Sequence, residues 1–593
     1  MLEQVNTLAQ AFEARVKKHP GRVFLRDKRD KAWIGHSWGD LSEAIGKLRA
    51  GLANLGVKAG DRVAILSENC PEWIVADQAV LGLGGIVVPL YTTSGTEETA
   101  HVLNDSGAKF VFVNGAAMIG KLAGLRSELP DVGGLIAMHR SAEPQPASET
   151  APAVMTLVSI GAETGAPAVA GSRDDVATII YTSGTTGTSK GVMLTHGNLL
   201  ANCDDSLTVL SLGEADMTLS FLPIAHAFER TAGYYTVMCA GAIVAFAEGL
   251  AQIASNLLEV EPTVVLTVPR LLEAVYDRVM RTVEKSPAIR RRLFQEAVAV
   301  GKRAAELRQQ GKRVPVDLSM GMALYRRLVF SKITGLFGRR LRYLISGGAP
   351  LAREVNEFFA AAELPIVEGY GLTEASPVVS CNLNNGKTRI GTVGRPLPHV
   401  QIELAPDGEL LARGPSVMKG YYKHETETKE AIDEKGWLHT GDIATIDLEG
   451  YITITDRKKE IIVLSGGKNV SPAYVEGKLL ADKHLAQACV VGDRRKHLAA
   501  LLVPNYENLG DFLKANNLDP AQPETAKAPA LRQFVQERIR EINRNLSDVE
   551  AIAAFAIVPQ FTQENGELTP TLKVRRKMVQ AHYKELIDSL YGD

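Results

Sequence analysis

Tyr181-Thr-Ser-Gly-Thr-Thr-Gly-Thr-Ser-Lys-Gly191 is the stretch from which the fold can be read. It packs three glycines, six Ser/Thr hydroxyls and one lysine, with no acid. Glycines let backbone N–H groups approach a ligand closely, hydroxyls donate hydrogen bonds and the lysine adds a point charge, which together suit a polyphosphate. Upstream, Ala177-Thr-Ile-Ile180 is an apolar, β-branched run with the signature of a buried strand. Downstream, the chain turns toward a helix predicted to begin near Asn198 as N-cap. A flexible linker shares the composition, but does not normally follow a buried strand directly and end in Lys-Gly-Val. The spacing also differs from a Walker A loop, because the lysine stands in Ser189-Lys190-Gly191 rather than in a Gly-Lys pair.

Working outward, strands alternate with helices on both sides, which predicts a parallel α/β sheet. Leu8, Phe12 and Val16, and then Leu41, Ile45, Leu48 and Leu52, follow helical spacing. Asp61-Arg-Val-Ala-Ile-Leu66, Gly85-Ile-Val-Val-Pro-Leu90 and Lys109-Phe-Val-Phe-Val113 read as strands, and Trp73-Ile-Val-Ala-Asp-Gln-Ala-Val-Leu81 as a helix. Residues 140–172, rich in Ala, Pro, Ser and Gly, read as a surface excursion. Beyond the loop, Thr218-Leu-Ser-Phe-Leu-Pro-Ile-Ala-His226 reads as a strand ending at a polar tip, and Thr263-Val-Val-Leu-Thr-Val268 as another, closed by Pro269. Residues 391–455 are dominated by glycine-rich turns and short strands. The last part has its own strands and a helix over about 531–546, so it reads as a small α+β domain.

A chain of 593 residues is too long for one compact core, so two or more domains are expected. The net charge of −2 offers no case for nucleic-acid binding. The charge is unevenly placed: residues 281–343 hold 16 Lys/Arg against 4 Asp/Glu, so that segment carries +12 and the rest −14. Within it, Leu293, Ala297, Val300, Ala304 and Leu307 share one helical face among basic residues. Two readings are open there: docking on anionic lipid, or a solvated helical face or dimer contact. Five scattered cysteines without a C-x-x-C pair exclude a zinc or disulfide framework and fit a reducing compartment. With no signal-peptide layout at the N-terminus, a cytoplasmic location, peripheral at a membrane if the basic segment docks, is the expectation. The uncharged runs at 78–96 and 231–247 are broken by glycine and read as buried elements rather than spans.

Three further motifs carry chemistry. Arg342-Tyr-Leu-Ile-Ser-Gly-Gly-Ala-Pro350 is a strand entering a Gly-Gly turn on which a flat ligand can lie. Glu368-Gly-Tyr-Gly-Leu-Thr-Glu374 offers a ring for stacking on a purine and a terminal carboxylate suited to magnesium. By itself it is as readily a turn. In Gly436-Trp-Leu-His-Thr-Gly-Asp442 the aspartate is placed to accept two ribose hydroxyls, or to form an Asx turn. Asp456-Arg-Lys-Lys-Glu460 alone reads as a solvated charge run, Lys573 as surface, and His226 as a lone histidine with a structural role as open as a functional one.

In this order the motifs resemble those of the adenylate-forming ligases, the AMP-binding superfamily of acyl-CoA synthetases, luciferases and peptide-synthetase adenylation domains. The block 436–457 and Phe221-Leu-Pro-Ile-Ala-His-Ala-Phe-Glu-Arg230 look most like long-chain fatty-acyl-CoA synthetases. The resemblance implies a large α/β domain of parallel and mixed sheets with a β-rich subdomain over 1–456, carrying the basic helical insertion 281–343. A small mobile α+β domain over 457–593 would follow, with its hinge at Lys459. It implies that Thr182, Ser183, Gly184, Thr185, Thr186, Gly187 and Lys190 hold the phosphates. Gly348, Gly369, Tyr370 and Gly371 would line the adenine, and Asp442 and Arg457 would grip the ribose. Thr373 would meet a phosphate or acyl oxygen, Glu374 would bind magnesium, and His226 would edge the acyl pocket. Ser465-Gly-Gly-Lys-Asn-Val470 resembles the segment that meets the CoA arm. Lys573, in Glu567-Leu-Thr-Pro-Thr-Leu-Lys573, takes the position of a mobile-loop lysine that neutralises charge as carboxylate attacks the α-phosphate.

The implied reaction joins a medium-to-long-chain fatty acid to coenzyme A, using ATP and Mg2+ and releasing AMP and pyrophosphate. Two rivals share parts of the pattern. A fatty-acyl-AMP ligase or acyl-carrier-protein synthetase uses the same adenylation site and differs in CoA dependence. A non-catalytic lipid-binding relative predicts loss of Lys190, Glu374, Asp442 or Lys573, and all four are present.

Overall fold

The computed structural model of the protein describes residues 4–138, 153–182, 189–382, 388–458, 460–569 and 573–592. Its N-terminal part is built on two large sheets, each with a mainly parallel centre. In one, the order runs Gly420–Tyr421, Lys190–Thr195, Val176–Thr182, Ile86–Leu90, Arg62–Leu66, Phe110–Val113, Gly134–Ala137 and Val154–Thr156. In the other it runs Arg395–Pro396, Val378–Cys381, Ile366–Gly371, Tyr343–Ser346, Val264–Thr267, Met217–Ser220, Ile243–Phe246, Val23–Arg29 and Ala32–Ser37. The central strands are buried on both faces, which is why they read as unbroken apolar runs. Helix Pro71–Gly82 is buried at every residue but Glu72, as expected of a helix enclosed by neighbouring layers.

A four-stranded antiparallel sheet follows, in the order Gln401–Leu404, Glu409–Arg413, Leu438–Ile446 and Ile452–Arg457. The C-terminal part has a hairpin of Ile462–Val463 with Asn469–Val470. It also has a three-stranded sheet, Leu485–Val491, Leu498–Pro504 and Ile552–Ile557, packed by helices Pro472–Leu480 and Pro529–Asn543 around a core of its own.

The α/β alternation and the small α+β part stand as the sequence predicts, and no described helix is long and apolar enough to cross a membrane. Several local expectations are corrected. The segment after the phosphate-type loop is first a strand, Lys190–Thr195, paired antiparallel with Val176–Thr182 so that Thr182 faces Lys190. Residues 183–188 therefore connect two strands, and the strand–loop–helix expectation gives way to a hairpin. The helix begins at His196. Thr195 is its N-cap and Asn198 sits at the third helical position, completing a reciprocal pair of side-chain to backbone bonds at 3.1 and 2.9 Å. Asn198 also donates to the carbonyls of Pro415 and Val417, which ties this helix to the strand Gly420–Tyr421 beyond.

The expected excursion at 140–172 contains an edge strand, Val154–Thr156, in its described portion. The strand at 218–226 ends at Ser220. Pro269, expected to close a strand, instead opens helix Pro269–Glu284, where its missing N–H costs nothing. The amphipathic face of Ala288–Gln309 is part of the core: Ala297 and Ala304 are buried, and a Cβ on Gly301 would stand 2.5 Å from the Ala361 carbonyl oxygen.

Candidate active site

The site residues lie at strand ends and on the turns that follow them. Thr182 ends the strand Val176–Thr182. Ser183, Gly184, Thr185, Thr186 and Gly187 lie outside the described residues. Just before the return strand, Ser189 is buried with its hydroxyl lacking a hydrogen-bond partner among the described residues, and its carbonyl bonds His101 Nε2 at 2.9 Å. Gly191 is required by close approach, since a Cβ there would meet Ile179 at 2.5 Å. Lys190 Nζ lies 3.4 Å from Glu427 and 5.7 Å above the Tyr421 ring.

Tyr421 was not legible from sequence, yet it joins two of the motifs. Its short strand pairs with Lys190–Thr195, and its hydroxyl donates to Glu374 Oε1 at 2.9 Å. Burial and the Glu374 carboxylate push its phenol pKa up. Thr373 and Glu374 sit on a single 3₁₀ turn, Thr373–Ala375, fixed by a bond from Met418 N to the Glu374 carbonyl at 2.8 Å. The second Glu374 carboxylate oxygen takes no hydrogen bond among the described residues, and among those residues no group of three or more His, Cys, Asp and Glu forms a metal cage. One carboxylate with a free oxygen suits magnesium, which binds through one or two carboxylates and substrate phosphates.

The strand Ile366–Gly371 leads into that turn. Its two glycines differ: a Cβ at Gly369 would touch nothing nearer than 3.6 Å, whereas at Gly371 it would strike the Pro377 carbonyl at 2.0 Å. Gly348 has φ +82° with open space around its Cβ position, so the Gly-Gly turn presents bare backbone. A Cβ on the neighbouring Gly347 would stand 3.0 Å from the Phe228 ring, so Phe228 lies against the turn.

Tyr370, Asp442 and Arg457 form a connected group. Asp442 and Arg457 face each other across the pair Leu438–Ile446 and Ile452–Arg457. Arg457 Nε donates to Asp442 Oδ1 at 3.1 Å and the Tyr370 hydroxyl to Oδ2 at 2.5 Å. Burial and the carboxylate raise the Tyr370 pKa well above its ordinary value. Behind them, buried Glu409 holds Gly441 N at 2.9 Å, His439 Nδ1 at 3.1 Å and Lys458 Nζ at 2.9 Å. His439, for which sequence offered no role, thus supports the Asp442 turn. His196, equally unassigned, accepts from Leu8 N and anchors the first helix.

Lys573 belongs to the C-terminal part but stands at this group. It is solvent-accessible yet crowded by protein. Desolvation and then the Arg457 guanidinium lower its pKa to about 8, against the opposing pull of Asp442 and Glu460. Its charge reaches His226, whose pKa is lowered to about 4 first by burial and then by Lys573. His226 is therefore neutral at pH 7, and its Nδ1 accepts from Phe228 N at 3.2 Å. The loop bearing Lys573 is fixed by Thr569, whose N–H and hydroxyl bond the Lys573 backbone at 2.8 and 3.0 Å. Arg576 behind it grips Glu476 at 2.6 and 2.9 Å. Lys459 lies outside the described residues. Residues 465–468 form the exposed tip of the hairpin Ile462–Val463 and Asn469–Val470.

The sequence pattern of the AMP-binding enzyme family matches residues 12–422, and that of the AMP-binding enzyme C-terminal domain matches 459–593. The chain is 35% identical over its whole length to long-chain-fatty-acid–CoA ligase FadD15 of Mycobacterium bovis, covering 98% of that protein. It is 29% identical over 98% of its length to long-chain-fatty-acid–[acyl-carrier-protein] ligase AEE15, chloroplastic, of Arabidopsis thaliana, covering 86% of it. In three dimensions it resembles the adenylation domain of a carboxylate reductase from Mycobacterium chelonae, with a TM-score of 0.79, 21% identity, and coverage of 99% of this chain and 91% of that one.

Proposed function

Because the chain belongs to the AMP-binding enzyme family, we propose that it activates a medium-to-long-chain fatty acid as the acyl-adenylate and transfers the acyl group to coenzyme A. The observation that supports this reading is the linked group Tyr370, Asp442 and Arg457 beside the bare Gly348 backbone, with the Lys573 charge acting on Arg457, Asp442 and His226. In that arrangement Asp442 and Arg457 take the ribose hydroxyls, and Tyr370 and Gly348 flank the base. Thr182 and Lys190, with residues 183–187, take the β- and γ-phosphates. Glu374 would hold magnesium, which when bound supplies positive charge to the phosphates.

A fatty-acid carboxylate oxygen attacks the α-phosphorus, the bond to pyrophosphate breaks, and a mixed anhydride with AMP forms. Lys573 is aimed at the charge that builds on the α-phosphate, in a cleft where a fixed cation is worth more than in water. Neutral His226 faces the acyl side without repelling Lys573. In the second step the CoA thiol attacks the acyl carbon, the bond to AMP breaks, and the thiol proton leaves with solvent.

We assign the change between steps to rotation of the C-terminal part about Lys459. Lys458, next to that pivot, is tied to Asp407 at 2.6 Å and Glu409 at 2.9 Å, and its N–H to Gly441 at 2.8 Å. The chain is thus pinned to the four-stranded sheet up to Lys458, so rotation would begin at the next residue. Closing one arrangement before opening the other keeps water from the acyl-adenylate.

Product analysis with Mg-ATP and acids from acetate to oleate, each with and without CoA, tests the reading. Acyl-CoA and AMP formed only from the longer acids is the expected result. Acetate or an aromatic acid as the sole substrate contradicts the chain-length assignment. Acyl-adenylate without acyl-CoA, with CoA supplied, favours transfer to a carrier-protein thiol, the activity named for the Arabidopsis relative.

A further inference from the structure

The basic segment 281–343 uses its two helical faces differently. Helix Ala288–Gln309 turns its apolar side into the core, so its basic residues are the solvated side of an ordinary core helix. The helix that follows, Val316–Tyr325 continued by the π-turn Arg326–Phe330, is built the other way. Met322 and Phe330 anchor it inward, while Val316, Met320, Leu324 and Leu328 are 76%, 69%, 55% and 45% exposed. Residues four apart share one face of a helix, so these four side chains form a continuous apolar stripe facing outward. A single exposed leucine needs no account, but an aligned row of four large apolar groups does.

The surroundings of the stripe are strongly cationic. Residues 312–340 contain seven Lys/Arg and one acid, Asp317. Arg326 is held by Glu363 at 2.5 Å. Lys312, Arg313, Arg327, Lys332, Arg339 and Arg340 form no salt bridge among the described residues, and all six are exposed. An apolar stripe with a basic rim matches the headgroup boundary of an anionic bilayer, where apolar side chains insert and cations pair with phosphate. A second copy of the chain fits poorly, because an isologous contact would set the two basic rims against each other.

We propose that the face formed by Val316, Met320, Leu324 and Leu328, rimmed by Arg313, Arg327 and Lys332, docks this protein on an anionic phospholipid surface, with the helix lying in the headgroup plane. Docking there needs neither ATP nor catalysis, and it would hold the enzyme at the phase into which fatty acids partition.

Flotation of the full-length protein with vesicles of equimolar phosphatidylcholine and phosphatidylglycerol tests this, with pure phosphatidylcholine vesicles beside them. Binding is expected to the anionic vesicles only and to weaken with salt. Met320→Gln with Leu324→Gln should weaken it about tenfold, and each of Arg327→Gln and Lys332→Gln about fivefold. Acyl-CoA formation from dispersed acid should be unchanged in all three variants, which separates failure of docking from failure of the ligase reading. If the first variant lowers the melting temperature, Val316→Gln with Leu328→Gln carries the same expectation. Equal binding to both vesicle types, or binding that ignores these substitutions, overturns the proposal. So does a dimer that falls apart in the Met320→Gln, Leu324→Gln variant without any vesicle binding by the parent protein.

Discussion

Two aspartate–arginine pairs in this molecule are put to opposite uses. Asp77 and Arg230 have no solvent exposure at all and meet at 2.5 Å. Asp442 and Arg457 meet at 3.1 Å, with the aspartate buried and half of the Arg457 side chain open to solvent. In the closed pair the three guanidinium nitrogens go to Tyr235, Thr178 and Asp77, while the Asp77 carboxylate also accepts from Tyr234 and Tyr235. Nothing is left over for a ligand. Burial pushes the Asp77 carboxyl up from its ordinary value, and Arg230 and the tyrosine hydroxyls pull it back. The open pair has one guanidinium–carboxylate bond, Tyr370 on the other carboxylate oxygen, and half of the Arg457 side chain in solvent, where ligand hydroxyls can replace water with little rearrangement.

The closed pair nevertheless serves the site. Thr178 lies on the strand that leads to residues 183–188, Asp77 on helix Pro71–Gly82, and Arg230 just after His226. The network fixes the phosphate side and the acyl side of the cleft to one helix. A buried pair left with one partner is costly, because the remaining charge stays desolvated. Removing Asp77 should therefore break the comparison most severely: Asp77→Ala is expected to lose about 3–5 kcal/mol in chemical denaturation. A loss no larger than that of a surface substitution would remove the closed pair from the architecture.

Arg457→Gln should do the reverse. Melting is expected to stay close to that of the parent, while kcat/KM for ATP falls by about tenfold to a hundredfold, as for a lost charge-assisted hydrogen bond of about 1.5–3 kcal/mol. An unaltered KM for ATP would take the ribose away from Arg457. Tyr370→Phe removes one neutral donor from Asp442 and should cost about 0.5–1.5 kcal/mol in the same parameter.

The smallest effect is conditional on pH. Glu229, in the same π-helix as Arg230, is buried with only Ser220 donating to it among the described residues, and burial pushes its pKa up to about 8. Gly233 leaves it room, since a Cβ there would stand 2.6 Å from the carboxyl group. A raised folded-state pKa adds stability that is complete below the unfolded value and lost as pH rises through about 8. Glu229→Gln is thus expected to melt higher than the parent at pH 9 and nearly alike at pH 5. Indistinguishable curves at both values would mean that Glu229 titrates as if exposed.

The contrast also marks what sequence can and cannot reveal. Apolar strands and glycine-dependent turns are local in origin, so the strand Tyr343–Ser346 and the Gly347–Gly348 turn after it were legible as such. Tyr421 was not. Its partners Lys190 and Glu374 are brought to it by a two-residue strand added at a sheet edge, and nothing in Gly-Tyr-Tyr announces that pairing. Asp77 and Arg230 stand 153 positions apart, and nothing local in either segment announces their pairing. The cap is Thr195 rather than Asn198 because both residue types cap helices and nothing local marks the strand that precedes them. The basic helix Ala288–Gln309 left two readings open for the same reason: its amphipathic pattern describes equally a docking helix and a helix packed on its own protein.

Lys573 is the sharpest test of the whole account, since it comes from the C-terminal part and its charge acts on the open pair. Lys573→Ala should be assayed in each half-reaction separately. Formation of acyl-adenylate and pyrophosphate from fatty acid and Mg-ATP is expected to fall by about a hundredfold to a thousandfold, as when a preorganised transition-state contact is lost. Transfer from supplied acyl-adenylate to CoA is expected to proceed near the parent rate. In the parent enzyme, kcat/KM for ATP should decline as pH rises through about 8, where Lys573 loses its charge. Equal loss in both half-reactions, or none in the first, would contradict the assignment of this arrangement to adenylation.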